Sequence, residues 1–432
     1  MDQSESMKTN INTDETSNSL PKTTEIEVMG EKKFTRVKII IIVSALIILL
    51  VGIPVSIVLT KKSDTKATKM LAKTVTTPNM ETSTTGSYPC RLGYMTQETY
   101  SAGSEPSGLA VVDVNNDSKP DIIVANVGSL TISIFLNMGN GTFTANTTYS
   151  IGTRPIGVAV GDINDDGQPD IIVSNVYNNN VGVLLNIGNG IFTAQTIYFT
   201  GDRPYSAVII DVNNDNKSDI IVPNSESNYV SVLLNIGNGT FTPQTTYPIG
   251  STQFDVAVVD VNNDGNPDII APNSRSNYIS VLFNIGNGTF SEQTTYLTDS
   301  GPYGVVVVDV NNDSNPDIIV TNSGDHNVGV LLNTGTGTFT AQTTYSTDLT
   351  PLNVVVVDVN NDGKPDIIVV NYWSHNVRVL FNTGNGTFNA ETTYATGTQP
   401  RDLVVIDVNN DSKPDIIVTN EGGNTVSVLL AC

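Results

Sequence analysis

The sequence predicts an all-β fold, a seven-bladed β-propeller made of four-stranded blades. A nine-residue motif recurs seven times at a constant spacing of 49 residues, which indicates one repeat array rather than separate domains. Each repeat contains four short apolar runs bounded by Asn, Gly, Asp or Pro, which is typical of strands and turns. Abundant Thr, Asn, Val and Ile, with one Trp and 12 Phe, also favour β-structure.

The repeated motif is an acidic loop, and its second copy reads Asp-Ile-Asn-Asp-Asp-Gly-Gln-Pro-Asp from Asp162 to Asp170. Positions 1, 3, 5 and 9 carry Asp, Asn, Asp and Asp in every copy, and such hard oxygen donors suit Ca²⁺. We therefore expect up to seven structural Ca²⁺ ions, with the position-7 carbonyl and water completing each shell. The expected side-chain ligands are Asp113, Asn115, Asp117, Asp121, Asp162, Asn164, Asp166, Asp170, Asp211, Asn213, Asp215, Asp219, Asp260, Asn262, Asp264, Asp268, Asp309, Asn311, Asp313, Asp317, Asp358, Asn360, Asp362, Asp366, Asp407, Asn409, Asp411 and Asp415.

Two other structures share this residue pattern. An EF-hand needs a bidentate Glu at position 12, but Val124, Val173 and Ala271 stand there, which excludes it. An Asx-rich turn without metal stays open, since Asp and Asn are common turn residues. Three crowded Asp in each loop would repel one another without a counter-ion, which favours the metal.

Position 6 of the loop is expected to turn sharply. Glycine, as at Gly167, tolerates the positive φ that such a turn needs. Four loops lack this glycine and are expected to be more strained or weaker. They carry Ser118, Asn216, Ser314 and Ser412 at this position.

The charge of the chain is concentrated in these loops. The formal net charge is -22, and 21 of the 43 acidic residues occupy loop positions 1, 5 and 9. Seven Ca²⁺ ions would leave -8, an ordinary soluble surface. No basic stripe indicates a nucleic-acid partner.

The segment before the repeats divides into three parts. Residues 1–37 are polar and are expected to form a disordered cytoplasmic tail. Residues 39–59 are apolar and long enough to cross a bilayer, so we expect a transmembrane helix over residues 38–60. A buried globular helix and a cleaved signal peptide are the alternatives, although a signal peptide has a shorter apolar core nearer the start. Residues 61–88, rich in Thr and Ser, are expected to be an extracellular stalk.

The orientation in the membrane does not follow from charge, because lysines flank the apolar segment on both sides. The acidic loops, the two cysteines and the glycosylation sequons place residues 89–432 outside the cell. The expected localisation is the cell membrane, with a single-pass type II signal anchor and an extracellular propeller.

Each repeat is expected to supply one blade. In the second repeat the expected strands are residues 156–163, 170–175, 181–186 and 192–199. The first is apolar on both faces, as an innermost strand should be, and the fourth alternates with polar residues, as expected of an outermost strand. A parallel β-helix has a repeat much shorter than 49 residues, which excludes it.

The chain ends after the third strand of the last repeat, so the last blade needs an outer strand from elsewhere. Residues 94–100 align one period earlier with residues 143–149 and are expected to complete that blade. Seven periods before Cys432 stands Pro89, next to Cys90. The only two cysteines therefore meet at the seam, and we expect a Cys90–Cys432 disulfide, with two free thiols as the alternative.

The loop Asp-x-Asn-x-Asp-x-x-x-Asp, usually closing as Pro-Asp-Ile-Ile-Val, resembles FG-GAP and VCBS repeats, the first of which build the propeller of integrin α subunits. The resemblance covers residues 90–432 and implies a calcium-bearing propeller with the ligand positions given above. This chain differs from integrin α subunits in its N-terminal anchor and in having an acidic loop in every blade.

The two faces of the ring are expected to differ. In a four-stranded meander the acidic loops share one face with the Gly-Asn-Gly-Thr turns, whose sequons are the expected glycosylation sites Asn140, Asn238, Asn287 and Asn385. The other face collects residues that the repeats do not share. Aromatic and Arg residues are enriched at binding hot spots, although loops also vary without function. The expected ligand-binding residues there are Tyr372, Trp373, His375, His326, Tyr278 and Arg275.

These features predict an extracellular ligand-binding or adhesion module, with a protein or glycan as its ligand, and not an enzyme. The sequence contains no nucleophile elbow and no His-Glu metal-binding helix motif. A calcium-dependent lectin and a carbohydrate-active enzyme on a propeller scaffold are the alternatives. Several equivalent aromatic pockets would favour the lectin, and paired carboxylates in the central channel would favour the enzyme.

Overall fold

A computed structural model describes residues 93–432, which form β-strands joined by turns and loops. The predicted tail, membrane span and stalk, together with Cys90, lie outside the described residues. In the described part, no helix is long and apolar enough to cross a membrane.

The strands form seven four-stranded antiparallel sheets, one for each blade. Blade 1 contains β2 (Pro106–Val112), β3 (Asp121–Asn126), β4 (Thr131–Phe135) and β5 (Thr147–Ser150). Blade 2 contains β6 (Pro155–Gly161), β7 (Asp170–Asn175), β8 (Asn180–Leu184) and β9 (Thr196–Phe199). Blade 3 contains β10 (Val208–Ile210), β11 (Asp219–Asn224), β12 (Tyr229–Leu233) and β15 (Thr245–Pro248), and its last connection forms a small ribbon of β13 (Asn235–Gly237) and β14 (Thr240–Phe241). Blade 4 contains β16 (Ala257–Val259), β17 (Asp268–Asn273), β18 (Tyr278–Leu282) and β19 (Thr294–Leu297).

The remaining blades follow the same order. Blade 5 contains β20 (Pro302–Val308), β21 (Asp317–Asn322), β22 (Asn327–Leu331) and β23 (Thr343–Ser346). Blade 6 contains β24 (Pro351–Val357), β25 (Asp366–Asn371), β26 (Asn376–Gly384) and β27 (Thr387–Ala395). Blade 7 contains β28 (Pro400–Ile406), β29 (Asp415–Asn420), β30 (Thr425–Leu429) and, as its outer strand, β1 (Glu98–Ser101). The predicted all-β propeller of seven four-stranded blades is confirmed.

The innermost strands close into a ring in which β2 lies beside both β6 and β28. The seam is in blade 7, where β1 pairs with β30 in the register Glu98↔Val428 to Ser101↔Thr425. The prediction that the N-terminal strand completes the last blade is therefore confirmed. The backbone N–H of Cys432 donates to the carbonyl of Gly93 at 3.0 Å. Because Cys90 lies outside the described residues, the disulfide stays a prediction.

The core lies between the blades, and each of its seven clusters joins two neighbours. Between blades 1 and 2, for example, Ile123 and Ile132 pack with Ile171 and Phe192. The second strand of each blade is buried at all six positions, because its two faces meet two neighbouring blades. Such a strand is a continuous apolar run rather than an alternating one.

Six of the seven outer strands are exposed except at one position, a half-buried tyrosine. In β9, Tyr198 is half-buried, its ring meets Phe241 edge-on at 5.2 Å, and its hydroxyl donates to the Gly239 carbonyl of the next blade. The predicted outer strand, residues 192–199, is longer than the observed β9, since Phe192 forms only an isolated bridge with Asn186. The second strand has the predicted bounds, Asp170–Asn175.

Candidate functional site

Each acidic loop is wrapped around its own side chains. In blade 2 the Asp162 carboxylate accepts the backbone N–H groups of Asp166 at 3.2 Å and Gly167 at 2.7 Å. Asn164 Oδ1 also accepts the Asp166 N–H, and Asp166 Oδ1 accepts that of Gln168. The side chains at positions 1, 3 and 5 thus accept backbone N–H groups within one turn, and their role as Ca²⁺ ligands stays a prediction.

The Asp at position 9 is a buried structural anchor. Asp170 is 0 % exposed, and its two oxygens accept the N–H groups of Asn186 at 2.7 Å and Ile163 at 3.1 Å. Burial raises its pKa to about 6, against the lowering effect of those two hydrogen bonds, and the carboxylates of Asp166 and Asp162 raise it further. The pKa is raised to about 6 in the same way at Asp121, Asp219, Asp268, Asp317, Asp366 and Asp415.

An asparagine that the motif analysis missed links neighbouring acidic loops at six of the seven junctions between blades. The side-chain amide of Asn186 donates to Pro169 O in its own loop at 3.2 Å and to Val114 O in the loop of blade 1 at 2.9 Å. The recurrence of this residue 16 positions after the last Asp of the loop is visible in the sequence and was the available signal. The equivalent residues with the same pair of bonds are Asn137, Asn235, Asn284, Asn333 and Asn382.

The loops require a left-handed backbone at two positions, of which the sequence indicated one. Position 6 has positive φ both at glycine, with 79° at Gly167, and at L-residues, with 69° at Ser314. Position 4 has positive φ as well, for example 60° at Asp165. Asn and Asp tolerate this region better than Ser does, so the expected strain falls mainly on the three loops with Ser at position 6.

The donor set of each loop fits Ca²⁺ by its chemistry, since it consists of carboxylate and amide oxygens. An oxygen that accepts one N–H group retains another lone pair for a cation. In the described residues, however, no group of three or more acidic, His or Cys side chains is assembled as a metal site. In three loops a position-7 lysine pairs with the position-5 Asp, as Lys217 does with Asp215 at 3.1 Å, and partly offsets the loop charge.

The four predicted glycosylation sites lie at exposed tips of turns, and each of these turns follows an asparagine that links two acidic loops. The Asn287 side-chain oxygen accepts the Thr289 hydroxyl hydrogen at 2.8 Å within its sequon. The hydrogen bonds of Asn186 and its equivalents place these turns beside the acidic loops, on the face that the sequence predicted. The attachment of glycans stays a prediction.

On the opposite face, the predicted contact residues have different surroundings. Trp373 is 56 % exposed, and its ring meets that of Tyr372 edge-on at 5.0 Å. Burial and the neighbouring Glu421 raise the pKa of the Tyr372 hydroxyl. Tyr372 and Trp373 therefore form one patch, with the indole outermost.

The two histidines have a structural role in turns. Nδ1 of His326 accepts the N–H of Thr350 at 3.1 Å, and Nδ1 of His375 accepts that of Gln399 at 3.0 Å. Asn277 makes the equivalent bond to the N–H of Gly301 through its side-chain oxygen. His326 and His375 thus replace a turn-capping asparagine, a role that the sequence analysis did not assign.

The remaining predicted residues lie one blade or more away from this patch. Arg275 is exposed and Tyr278 half-buried, both in blade 4. In blades 1 to 3 a separate surface group has Tyr177 between Arg154 and Arg203, whose guanidinium carbons lie 5.2 and 5.5 Å from the ring centroid. The structure thus divides the variable residues of this face into several patches.

A ring of seven residues, one from each blade, surrounds the central channel at the face that carries Trp373. We call it the channel mouth. It consists of Ser107, Ile156, Tyr205, Phe254, Tyr303, Leu352 and Arg401. A second ring of Gly108, Gly157, Ser206, Asp255, Gly304, Asn353 and Asp402 forms the floor of the same cavity, whose volume is ≈ 80 Å³.

Arg401 spans the channel mouth. From blade 7 its Nη2 donates to the hydroxyl groups of Tyr205 in blade 3 at 2.8 Å and Tyr303 in blade 5 at 3.3 Å, while Nη1 donates to Glu421 at 2.7 Å. Burial alone would lower the pKa of Arg401, but the two tyrosines and Glu421 outweigh it and hold the pKa above its ordinary value. The sequence analysis noted Arg401 and Tyr205 as loop residues, without their contact.

The floor contains two half-buried carboxylates that link neighbouring blades. Asp255 accepts the N–H of Val305 in the next blade at 3.0 Å, and Asp402 accepts that of Leu109 at 2.8 Å. Burial raises the pKa of both to about 6 against the lowering effect of these bonds. At the equivalent Gly157 a Cβ atom would approach Tyr205 O to 2.2 Å, so neighbouring blades are close there.

Comparison with protein-family models gives six overlapping matches to the FG-GAP-like repeat, over residues 113–173, 162–222, 211–271, 260–320, 309–369 and 358–418. The chain belongs to the FG-GAP-like repeat family. The resemblance inferred from the acidic loops is thereby confirmed, and each match runs from one acidic loop of this FG-GAP-like protein through the second strand of the following blade. Among curated proteins, none matches the sequence.

Solved structures support the fold of this FG-GAP-like protein. BBS1N, from its complex with ARL6DN, is 12 % identical with a TM-score of 0.59 over 79 % of this chain and 98 % of that one. Virginiamycin B lyase from Staphylococcus aureus is 14 % identical with a TM-score of 0.54 over 77 % and 98 %. An Agrocybe aegerita lectin that recognises non-reducing terminal N-acetylglucosamine is 22 % identical with a TM-score of 0.50 over 68 % and 80 %. At these identities the likeness concerns the fold alone.

Proposed function

We propose that this FG-GAP-like propeller is the extracellular, ligand-binding part of a single-pass membrane protein, and that it acts in adhesion or recognition rather than in catalysis. One observation carries the proposal. On the face opposite the acidic loops, side chains that the repeats do not share meet around one channel mouth, where Arg401 joins three blades. A rigid scaffold that presents variable side chains at one place is typical of a binding surface.

The proposed contact surface comprises Trp373, Tyr372 and the channel mouth. Trp373 is more than half exposed, although large aromatic side chains are usually buried. Tyr372 connects Trp373 to the mouth, since Glu421 raises the pKa of the Tyr372 hydroxyl and Arg401 lowers it. Trp, Tyr and Arg are the residues most enriched at binding hot spots.

The proposed role of Ca²⁺ is structural. The ligands would be the side chains at positions 1, 3, 5 and 9 of each loop, and the ion would neutralise the carboxylates that the loop brings together. The chain itself supplies the supporting contacts. Asn235 holds the loop of blade 3 against that of blade 2, so ordering of one loop restrains its neighbour.

A carbohydrate-active enzyme is the second candidate, because the channel floor contains the two carboxylates of Asp255 and Asp402. In each, both oxygens accept backbone N–H groups, which anchors them as links between blades. An acid or nucleophile needs an oxygen aimed at the substrate. These contacts therefore favour a structural role and the binding module.

The test uses the full-length chain in detergent micelles, with printed glycans and immobilised extracellular matrix proteins as ligands, in calcium and in chelator. We expect saturable binding that Trp373→Ala weakens about tenfold or more. Phe199→Ala is the matched control, because Phe199 is 72 % exposed on the outer strand of blade 2. Equal loss in both variants, or no binding by the folded protein, would contradict the proposal.

A further inference from the structure

The channel mouth is chemically specialised in a way that the fold does not require. Six of its seven residues directly follow a proline, while the residue itself differs from blade to blade. Of the seven, only Tyr occurs twice. A position that merely closed the ring would need no such variety, and the side chains here form one composite cavity.

The cavity has an aromatic wall and a polar wall. On blades 3 to 5 the ring of Phe254 stacks on Tyr303 at 4.5 Å and meets Tyr205 edge-on at 4.8 Å. Opposite them, Arg401 on blade 7 and Asn353 on blade 6 carry N–H donors, and the hydroxyl groups of Tyr205 and Tyr303 can donate or accept. Such a site suits a molecule with one apolar face and several hydroxyl groups.

The charges at the cavity disfavour an ionic ligand. Its walls, floor and rim hold one guanidinium, that of Arg401, and the three carboxylates of Glu421, Asp255 and Asp402. An anion would meet three carboxylates, and a cation would meet a guanidinium that reaches across the opening. A neutral ligand avoids both repulsions and still finds donors and acceptors.

The size of the cavity limits how much of the ligand enters. With a volume of ≈ 80 Å³ the cavity is small, so one end of a ligand enters it and the rest lies outside. Outside, the ligand would reach Tyr372 beside Glu421 and then the exposed Trp373. Both are broad apolar surfaces on which a further ring can pack.

We propose that the channel mouth binds the terminal unit of a neutral saccharide chain and that Tyr372 and Trp373 contact the adjoining unit. The hydroxyl groups of the terminal unit bond to Arg401, Tyr205 and Tyr303, and its C–H face packs on Phe254. This inference rests on the proposed function and names the ligand class of the same surface. It assigns one site to the propeller axis, not one site to each blade.

The experiment measures binding of the full-length chain in detergent micelles to an array of neutral, sialylated and sulfated glycans. Tyr205→Phe and Tyr303→Phe each remove one hydroxyl and keep the ring, so each is expected to weaken binding of a neutral glycan about tenfold. Tyr149→Phe is the matched control, because Tyr149 lies on the outer strand of blade 1, away from the mouth, and its hydroxyl bonds to the Gly190 carbonyl in the next blade. Phe254→Leu removes the aromatic face, with Phe199→Leu as its control.

Thermal unfolding first establishes that every variant is folded. Binding of neutral glycans that falls in the mouth variants and persists in both controls supports the proposal. Unchanged glycan binding in the mouth variants, or binding of anionic glycans alone, would overturn it. Trp373-dependent binding to a matrix protein without any glycan binding would overturn the saccharide assignment and leave the proposed function standing.

Discussion

The hydroxyl group of Tyr94 donates a hydrogen bond of 3.1 Å to the carbonyl of Pro414. In blades 1 to 6 the equivalent carbonyl accepts the side-chain amide of the asparagine that links the loops, as Pro169 O does from Asn186. Blade 7 has Ala431 in place of that asparagine. Tyr94 stands where the other six outer strands carry Phe, and its extra hydroxyl supplies the missing donor at the seam.

Replacing Tyr94 with Phe is expected to lower the free energy of unfolding by about 1–2 kcal/mol, since Pro414 O then loses its donor in a largely buried setting. Ala431→Asn, introduced into Tyr94→Phe, restores the amide found in the other blades and should recover part of the loss. Denaturant unfolding of the single and double variants measures both effects. Identical midpoints for wild type and Tyr94→Phe would show that the bond does not stabilise the seam.

The three serines at loop position 6 offer a test of backbone strain. Ser314 has a φ of 69°, where an L-residue costs about 1–2 kcal/mol, while glycine gains flexibility in the unfolded chain. Ser314→Gly is therefore expected to raise the free energy of unfolding by about 0.5–1 kcal/mol. Gly363→Ser is the reverse control: its φ is 82°, a Cβ would meet no atom within 4 Å, and a similar loss is expected. Changes of the opposite sign would contradict the strain argument.

The period of the sequence predicted most of the fold. A spacing of 49 residues determines the number of blades, the strand order and the position of β1, because each repeat must bury its faces against its neighbours. In blade 2, Asp162 and Asp166 accept backbone N–H groups of their own loop, and the role of positions 1, 3, 5 and 9 as Ca²⁺ ligands stays a prediction. Strand ends were less predictable, since Phe192 only bridges Asn186 where a longer strand was expected.

The candidate site was predicted only in part, because contacts across the ring have no fixed sequence spacing. Arg401, in β28, and Tyr205, three residues before β10, are 196 positions apart and touch only because the ring brings blades 3 and 7 together across the channel. Asp255 and Asp402 escaped notice for the same reason. Aligning the repeats and examining their most variable position would have identified the channel mouth, whereas the exposed Trp373 was conspicuous as the only tryptophan.

Asp402 is expected to make stability depend on pH. Burial raises its pKa to about 6, above the value of about 3.9 for an unfolded Asp. The folded state therefore binds the proton more tightly, and the stability from this group is fully present below about pH 4 and lost as the pH rises through about 6. The Asp402→Asn variant has an amide that does not titrate, so it does not lose this stability as the pH rises. Relative to the variant, wild type should lose about 2 kcal/mol of unfolding free energy between about pH 4 and about pH 7.

The measurement for Asp402 is denaturant unfolding at several pH values in saturating calcium, which keeps the acidic loops in one state. Exchanging carboxylate for amide beside the N–H of Leu109 also has a cost, but that cost is the same at each pH and cancels from the slope. Asp202→Asn, at an exposed position, controls for the loss of one surface charge. A difference between wild type and Asp402→Asn that stays constant with pH would argue against a raised pKa in the channel.

Removal of calcium tests the metal sites, and two substitutions in the acidic loop of blade 2 serve as variant and control. At ten times Kd, each ion bound only by the folded state adds about 1.4 kcal/mol, so chelator should lower the unfolding midpoint markedly. Asp166→Asn removes a position-5 carboxylate and is expected to reduce the number of bound ions by one. Asp165→Asn removes the neighbouring charge at position 4, where the other six loops already carry Asn, and should leave the number unchanged. Calorimetric titration of wild type and both variants measures the stoichiometry. Equal reduction in the two variants would indicate that loop charge, rather than the ligand position, determines binding.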